Sequence, residues 1–171
     1  QYGEYPLLIF GAESVHALGV QSGGPFISQV APMAGHGLVG REALVNVNGR
    51  IFAATSEGLV AFTPQPSDPL SAPLHRRDTQ ADILDELGPG TAVGRLQHLE
   101  RDRDEIWVAT SQKIYAFSLK HGRWFTIDRT RTGLTRRGVE LVGIDGGLTL
   151  EAGSTNPANF QLGTAALTMD Q

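Results

Sequence analysis

Ile51-Phe52-Ala53-Ala54-Thr55-Ser56-Glu57-Gly58-Leu59-Val60-Ala61-Phe62 returns as Ile106-Trp107-Val108-Ala109-Thr110-Ser111-Gln112-Lys113-Ile114-Tyr115-Ala116-Phe117. The offset is constant, from Ile51 to Ile106 at one end and from Phe62 to Phe117 at the other. A weaker copy stands upstream as Leu7-Leu8-Ile9-Phe10-Gly11-Ala12-Glu13-Ser14-Val15-His16-Ala17-Leu18, with Leu7 at the place of Ile51 and Val15 at that of Leu59. Each copy reads as an apolar run, a small polar turn and a second apolar run. β-Branched and aromatic runs around turn residues predict a β-hairpin. The runs are apolar on consecutive residues, as in strands covered on both faces. Ala54 and Ala109 stand at matching places and leave room for a neighbouring sheet. Doubly covered strands that recur at such a period suit the stacked sheets of a β-propeller.

Working outward, Asn48-Gly49 lies between Ala43–Val47 and the Ile51 run. Asn-Gly between apolar runs is a strong hairpin signal. The same place in the next repeat holds Arg101-Asp102-Arg103-Asp104, which reads as a charged, solvated turn. His121-Gly122 reads as a turn before the outer strand Trp124–Ile127. This repeat thus predicts four strands, near 95–100, 105–110, 113–119 and 123–127, which is one propeller blade. Pro64 to Pro73 is rich in Pro and Ser and is not a central strand. Asp78 to Leu87 reads as a short helix, capped by Asp78 or Thr79, with Ile83, Leu84 and Leu87 as its stripe. Residues 64–92, with the helical stretch near 78–88, therefore form an insertion between blades. Beyond it, Val139–Ile144 and Leu148–Ala152 read as two strands. Ala165–Met169 is a last apolar strand after a Gly/Asn/Pro loop.

Composition agrees. The 171 residues suit one domain, and 40% hydrophobic with 19% charged residues is too apolar for a disordered chain. Gly and Pro, 21 and 9, argue for many short elements and against a helix bundle. The net charge of −4 disfavours a whole-surface nucleic-acid binder. The absence of cysteine excludes disulfide scaffolds, Cys-based zinc sites and thiol nucleophiles. No apolar stretch approaches the length of a membrane helix, and no signal peptide is visible. The chain opens at Gln1, not Met, and reads as processed or as part of a longer chain.

A resemblance runs along much of the sequence. Gly3-Glu4-Tyr5-Pro6-Leu7-Leu8-Ile9-Phe10 followed by Val15-His16-Ala17-Leu18 resembles the opening of a blade in structural proteins of tailed phages and prophages. Arg50–Leu59, then Asp104-Glu105-Ile106-Trp107-Val108, a Tyr-containing strand and Gly122-Arg123-Trp124 resemble later parts of that pattern. Phe160-Gln161-Leu162-Gly163-Thr164-Ala165-Ala166-Leu167 looks like the strand that leaves the propeller. The resemblance implies a virion structural protein of the tail or the head-to-tail connector. Nozzle-type members of that class form a ring of copies and neighbouring virion proteins through which DNA passes during ejection. It implies localisation in the virion.

Site motifs are few. Glu100, Asp102, Asp104 and Glu105 alternate as in a calcium loop but lack its glycine and terminal Glu. They read as a solvated hairpin tip. His16, His36, His75, His98 and His121 show no metal spacing, and His16 falls where Val60 and Tyr115 stand, as a strand residue. Ser56 and Ser111 occupy turn positions where local hydrogen bonding favours Ser. Gly146-Gly147 after Asp145 is similar to the double glycine of kelch blades, but the kelch order of Tyr then Trp is not kept. Asp145-Gly146 reads more simply as a hairpin turn. No catalytic motif, metal site or cofactor site is read. Arg123, Arg129, Arg131, Arg136 and Arg137 crowd into one stretch, interleaved with Thr130, Thr132 and Thr135. This stretch reads as a solvated loop, or as a contact to phosphates or to an acidic neighbouring subunit through Arg129, Arg131, Arg136 and Arg137.

The expectation is an all-β, β-propeller-like chain of about three to four blades, with 1–171 a single such domain or part of one. Its function is expected to be assembly, without catalysis. A kelch-like protein- or carbohydrate-binding propeller is the alternative, and a propeller glycoside hydrolase or lyase stands behind that. A binding propeller calls for aromatics on loop tips, whereas Trp107, Tyr115, Phe117 and Trp124 sit within strands. The hydrolase needs converging carboxylates.

Overall fold

The computed structural model describes residues 7–20, 27–62, 68–75, 83–98, 103–138, 140–144 and 148–152; the side chains of residues 20, 27–31, 98, 103, 137, 140 and 148–152 lie outside the description. The chain is all-β. Its described residues hold thirteen strands in four antiparallel sheets, one α-helical turn and one 3-10 turn. It divides into two compact units, Gln1–Pro89 and Gly90–Gln171.

The first unit holds two sheets. One joins β1 (Leu7–Phe10), β2 (Val15–Val20) and β3 (Ile27–Ala34) in that order. The other joins β4 (Leu44–Val47), β5 (Arg50–Thr55) and β6 (Gly58–Phe62). The Asn48-Gly49 turn links β4 to β5 as expected. Both residues have positive φ, 52° and 82°, the geometry of a type I′ turn, and Asn46 Oδ1 accepts the Gly49 N–H at 3.0 Å. Val15, Ala53, Val60 and Phe62 form the core between the sheets, where Phe10 meets Phe62 edge-on at 5.3 Å. Segment 37–39 stitches the sheets together. Leu38 N–H donates to Gly11 O at 2.8 Å and Val39 N–H to Ala54 O at 3.2 Å. A Cβ on Gly37 would collide with Gly11 O, so this close approach requires glycine.

The second unit also holds two sheets. The four-stranded sheet runs β7 (Ala92–His98), β8 (Arg103–Ala109), β9 (Ile114–Ser118) and β10 (Arg123–Ile127). The three-stranded sheet runs β11 (Gly133–Arg137), β12 (Glu140–Ile144) and β13 (Leu148–Ala152). Its Leu141 and Leu134 pack on Ala92, Leu96, Trp107, Ala109, Ile114 and Ala116. Gly94 makes this possible: a Cβ there would lie 2.9 Å from Leu141 Cδ1 and 3.1 Å from Leu134 Cβ. Small residues at the sheet contact thus do what the sequence pattern requires of Ala109.

The repeat is a repeat of register. Ile51 pairs with Phe62, Phe52 with Ala61, Ala53 with Val60 and Ala54 with Leu59. Ile106 pairs with Phe117, Trp107 with Ala116, Val108 with Tyr115 and Ala109 with Ile114, the same set moved to the second repeat. Leu7 pairs with Leu18, Leu8 with Ala17, Ile9 with His16 and Phe10 with Val15, the same set again in the upstream copy. Strands β6 and β9 are buried at every residue, as consecutive apolar runs predict. The turns match as well. Thr55 Oγ1 donates to Gly58 O, and Thr110 Oγ1 to Lys113 O, at 3.1 and 2.9 Å. These threonines make the turn bonds, while Ser56 and Ser111 beside them are exposed.

Four expectations change in detail. Of the helix expected over 78–87, the described residues carry one turn, α1 (Ile83–Glu86); its proposed caps lie outside the described residues. The strand expected over 95–100 starts earlier, at Ala92, and is described as far as His98; residues 99 and 100 fall outside the described residues. Arg103 and Asp104 are not a solvated turn but the start of β8. Asp104 takes a bidentate ion pair from Arg95, at 2.8 and 2.9 Å, and Glu105 is buried and accepts the Trp107 indole N–H at 3.0 Å. The acidic run is therefore not all solvated, because the ladder places Asp104 diagonally across from a buried guanidinium that needs a carboxylate. Last, the arginine stretch expected as a loop holds a strand, β11, while the two strands expected after it stand as β12 and β13. The expected strand Ala165–Met169, the turn at Asp145-Gly146, and Glu100 and Asp102 fall outside the described residues.

Candidate functional site

The arginine stretch connects β10 to β11 and is only partly a loop. Residues 128–132 form the connection, but Gly133–Arg137 is strand β11, which lies at the edge of its sheet. Gly133-Leu134-Thr135-Arg136-Arg137 has one aliphatic residue, and Leu134 alone anchors it in the core. The ladder to β12, with Arg136 opposite Leu141 and Arg137 opposite Glu140, supplies the rest. Thr132 ties the connection down through its N–H and its hydroxyl, both donating to Ile144 O, at 2.9 and 2.7 Å.

The arginines lie close in sequence but spread over β10, the connection and β11. Arg123 and Arg136 are exposed, and Arg129 and Arg131 are half-buried; the Arg137 side chain lies outside the described residues. Backbone carbonyls orient two of them. Arg131 Nη1 donates to Thr130 O at 2.8 Å, and Arg136 Nε donates to Gly138 O. Arg136 is exposed, and with Nε donating to Gly138 O its Nη groups remain as donors. A guanidinium fork matches a carboxylate or a phosphate. Asp128 is the one acidic residue between Arg123 and Arg137. Trp124 leans on Phe117 at 5.0 Å within the sheet, whereas Phe125 is exposed on the outermost strand.

The remaining candidates are scattered. His16 lies in β2 with Nε2 3.0 Å from Ser14 Oγ, and His75 Nε2 lies 3.0 Å from the buried Ser71 Oγ. Ser71 Oγ in turn accepts the Leu59 N–H at 2.9 Å, which fixes the start of β6. His121 is exposed in the turn before β10. Among the described residues no three of His, Cys, Asp and Glu are grouped to hold a metal ion, and no helix is long and apolar enough to cross a membrane.

Sequence reading missed the open apolar edge of β1, where Leu7 and Ile9 are exposed. No protein-family model and no curated protein matches this sequence.

Proposed function

We propose that the chain is part of a β-propeller in a virion structural protein, acting by assembly into a ring of copies around a DNA exit path. The observation that carries this reading is the register shared by three successive hairpins, in strands that bury both faces in the two later copies. Repeated sheets of this kind support the radial architecture of a propeller. The resemblance to tailed-phage structural proteins supplies the setting. In this reading the edge held by Arg129, Arg131, Arg136 and Arg137 docks on carboxylates of a neighbouring subunit, where arginine forks are favoured. The net charge of −4 suits a conduit, because a surface gripping duplex DNA would neutralise phosphates along its length.

The test replaces Arg129, Arg131, Arg136 and Arg137 with Ser. Sedimentation should show weakened assembly, with circular dichroism unchanged. Assays on glycan substrates should show no turnover above background. A stable monomer that cleaves glycans would sink the structural reading and favour a propeller hydrolase or lyase.

A further inference from the structure

Asn48-Gly49 is the one place in the sequence where asparagine precedes glycine. It forms the tip of the β4–β5 hairpin, and Asn48, Gly49 and Arg50 are all exposed there. The dipeptide brings together two atoms that can react. The side-chain Cγ of an asparagine is an electrophile, and the backbone nitrogen of the next residue is a nucleophile once it loses its proton. Glycine leaves that nitrogen open to approach, because it has no Cβ. The space beside Gly49 is empty as well: a Cβ there would meet nothing within 4 Å. The other asparagines precede Val47, Pro157 and Phe160, which are bulky or, for proline, lack the N–H.

The hairpin also restrains this pair. The Gly49 N–H, whose proton must leave, donates to Asn46 Oδ1 at 3.0 Å. Asn46 is held in place by β4, where it stands opposite Ile51 in the ladder. Positive φ at both turn residues and the pairing of Val47 with Arg50 keep Gly49 N at that oxygen. Attack on Asn48 Cγ requires this hydrogen bond to break and the turn to relax. The net worth of one such hydrogen bond corresponds to about a two- to tenfold change in that equilibrium.

We propose that Asn48-Gly49 is a self-modification site, converting slowly to aspartate and isoaspartate, and that Asn46 sets the rate by holding the Gly49 N–H. Gly49 N gives its proton to hydroxide and bonds to Asn48 Cγ. The Cγ–Nδ2 bond breaks, and ammonia leaves after taking a proton from water, which restores the hydroxide. The product is a five-membered succinimide. Water then opens the ring at Cγ, giving aspartate, or at the Asn48 backbone carbonyl, giving isoaspartate. No electrons are gained or lost. Either product adds one negative charge beside Arg50. Isoaspartate also routes the backbone through Cγ, which lengthens a two-residue turn whose geometry fixes the pairing of Val47 with Arg50. The tip of the β4–β5 ladder therefore loosens as the chain ages. The reacting atoms belong to Asn48 and Gly49, and Asn46 is a positioning residue.

The test incubates the unchanged chain, Asn46→Ala, Asn46→Asp and Asn48→Gly at mildly alkaline pH, with a free peptide of residues 44–53 alongside. Asn46 is exposed, so its replacement leaves the fold intact, as circular dichroism checks. Peptide mass spectrometry of the unchanged chain should find a gain of about 1 Da confined to the fragment holding Asn48, slower than in the free peptide. Asn48→Gly should show no gain there. Asn46→Ala should react about two- to tenfold faster than the unchanged chain. Amide hydrogen exchange needs loss of the same proton, and it should quicken by the same factor at Gly49 while Arg50 keeps its rate. Asn46→Asp retains an acceptor oxygen and should react no faster than the unchanged chain. Equal rates in Asn46→Ala and the unchanged chain would overturn the role of Asn46, as would exchange that quickens equally at Gly49 and Arg50, the mark of a turn that simply opens. A free peptide that converts while the unchanged chain gains no mass would overturn the modification site itself.

Discussion

Replacing Trp107 with Ala tests whether the second unit is built as a doubly covered sheet. The indole is 4% exposed and sits among Ala92, Leu96, Ala109, Ile114, Ala116 and Leu141. Across the ladder it faces Gly94 on one side and Ala116 on the other. Both neighbours are small, and both belong to strands pinned by hydrogen bonds, so neither can move in to fill the void. The cost should therefore fall in the upper part of the range of about 3–5 kcal/mol for removing a buried aromatic. Part of it is the hydrogen bond from the indole N–H to Glu105 Oε2. Trp107→Phe removes that bond while keeping an aromatic ring, as Phe52 does at the equivalent place in the first repeat. It should cost about 1.5–3 kcal/mol, the worth of a hydrogen bond to a charged group. The assay is urea denaturation followed by tryptophan fluorescence. Both tryptophans lie in the second unit, so Trp124 still reports on it in the variants. A midpoint shift worth less than about 1 kcal/mol for Trp107→Ala, at unchanged slope, would make Trp107 a surface aromatic and refute this packing.

Other outcomes follow from single contacts. Gly58→Ala should destabilise the first unit by about 1–3 kcal/mol, since φ is +111° there and a Cβ would collide with Ser71 Oγ; thermal denaturation measures it. Asp104→Asn removes the charge facing the buried Arg95 guanidinium and should cost about 1.5–3 kcal/mol, at the lower end because Asp104 is 35% exposed; chemical denaturation at neutral pH reads it. Gly49→Ala strains a turn residue at φ +82° and should cost about 1 kcal/mol by the same measurement, while Asn48→Gly, at φ 52°, should be close to neutral.

What the sequence reveals here depends on how local the physics is. The hairpins are legible because their runs are apolar on consecutive residues and their turns carry Asn-Gly or Thr-Ser pairs, all short-range signals. Strand β11 is not legible. Its own residues favour a loop, and only pairing with β12 and the anchoring of Leu134 make it a strand. The start of β7 is hidden by Gly94, which weakens a strand locally but is needed for the approach of Leu134 and Leu141. The Arg95–Asp104 pair is hidden too, because it depends on the register of two strands, whereas charge runs by themselves suggest solvent. For the arginine stretch, the clustering is legible and the orientation is not. Carbonyls of Thr130 and Gly138 set it, and those positions follow from the turn geometry on either side of β11.

Ring assembly is the central claim, and the native mass of the full chain tests it most directly. Sedimentation or native mass spectrometry should find a closed multimer of defined copy number that falls apart when Arg129, Arg131, Arg136 and Arg137 become Ser. A mass equal to a single chain at every concentration, alone and with neighbouring virion proteins, would contradict it.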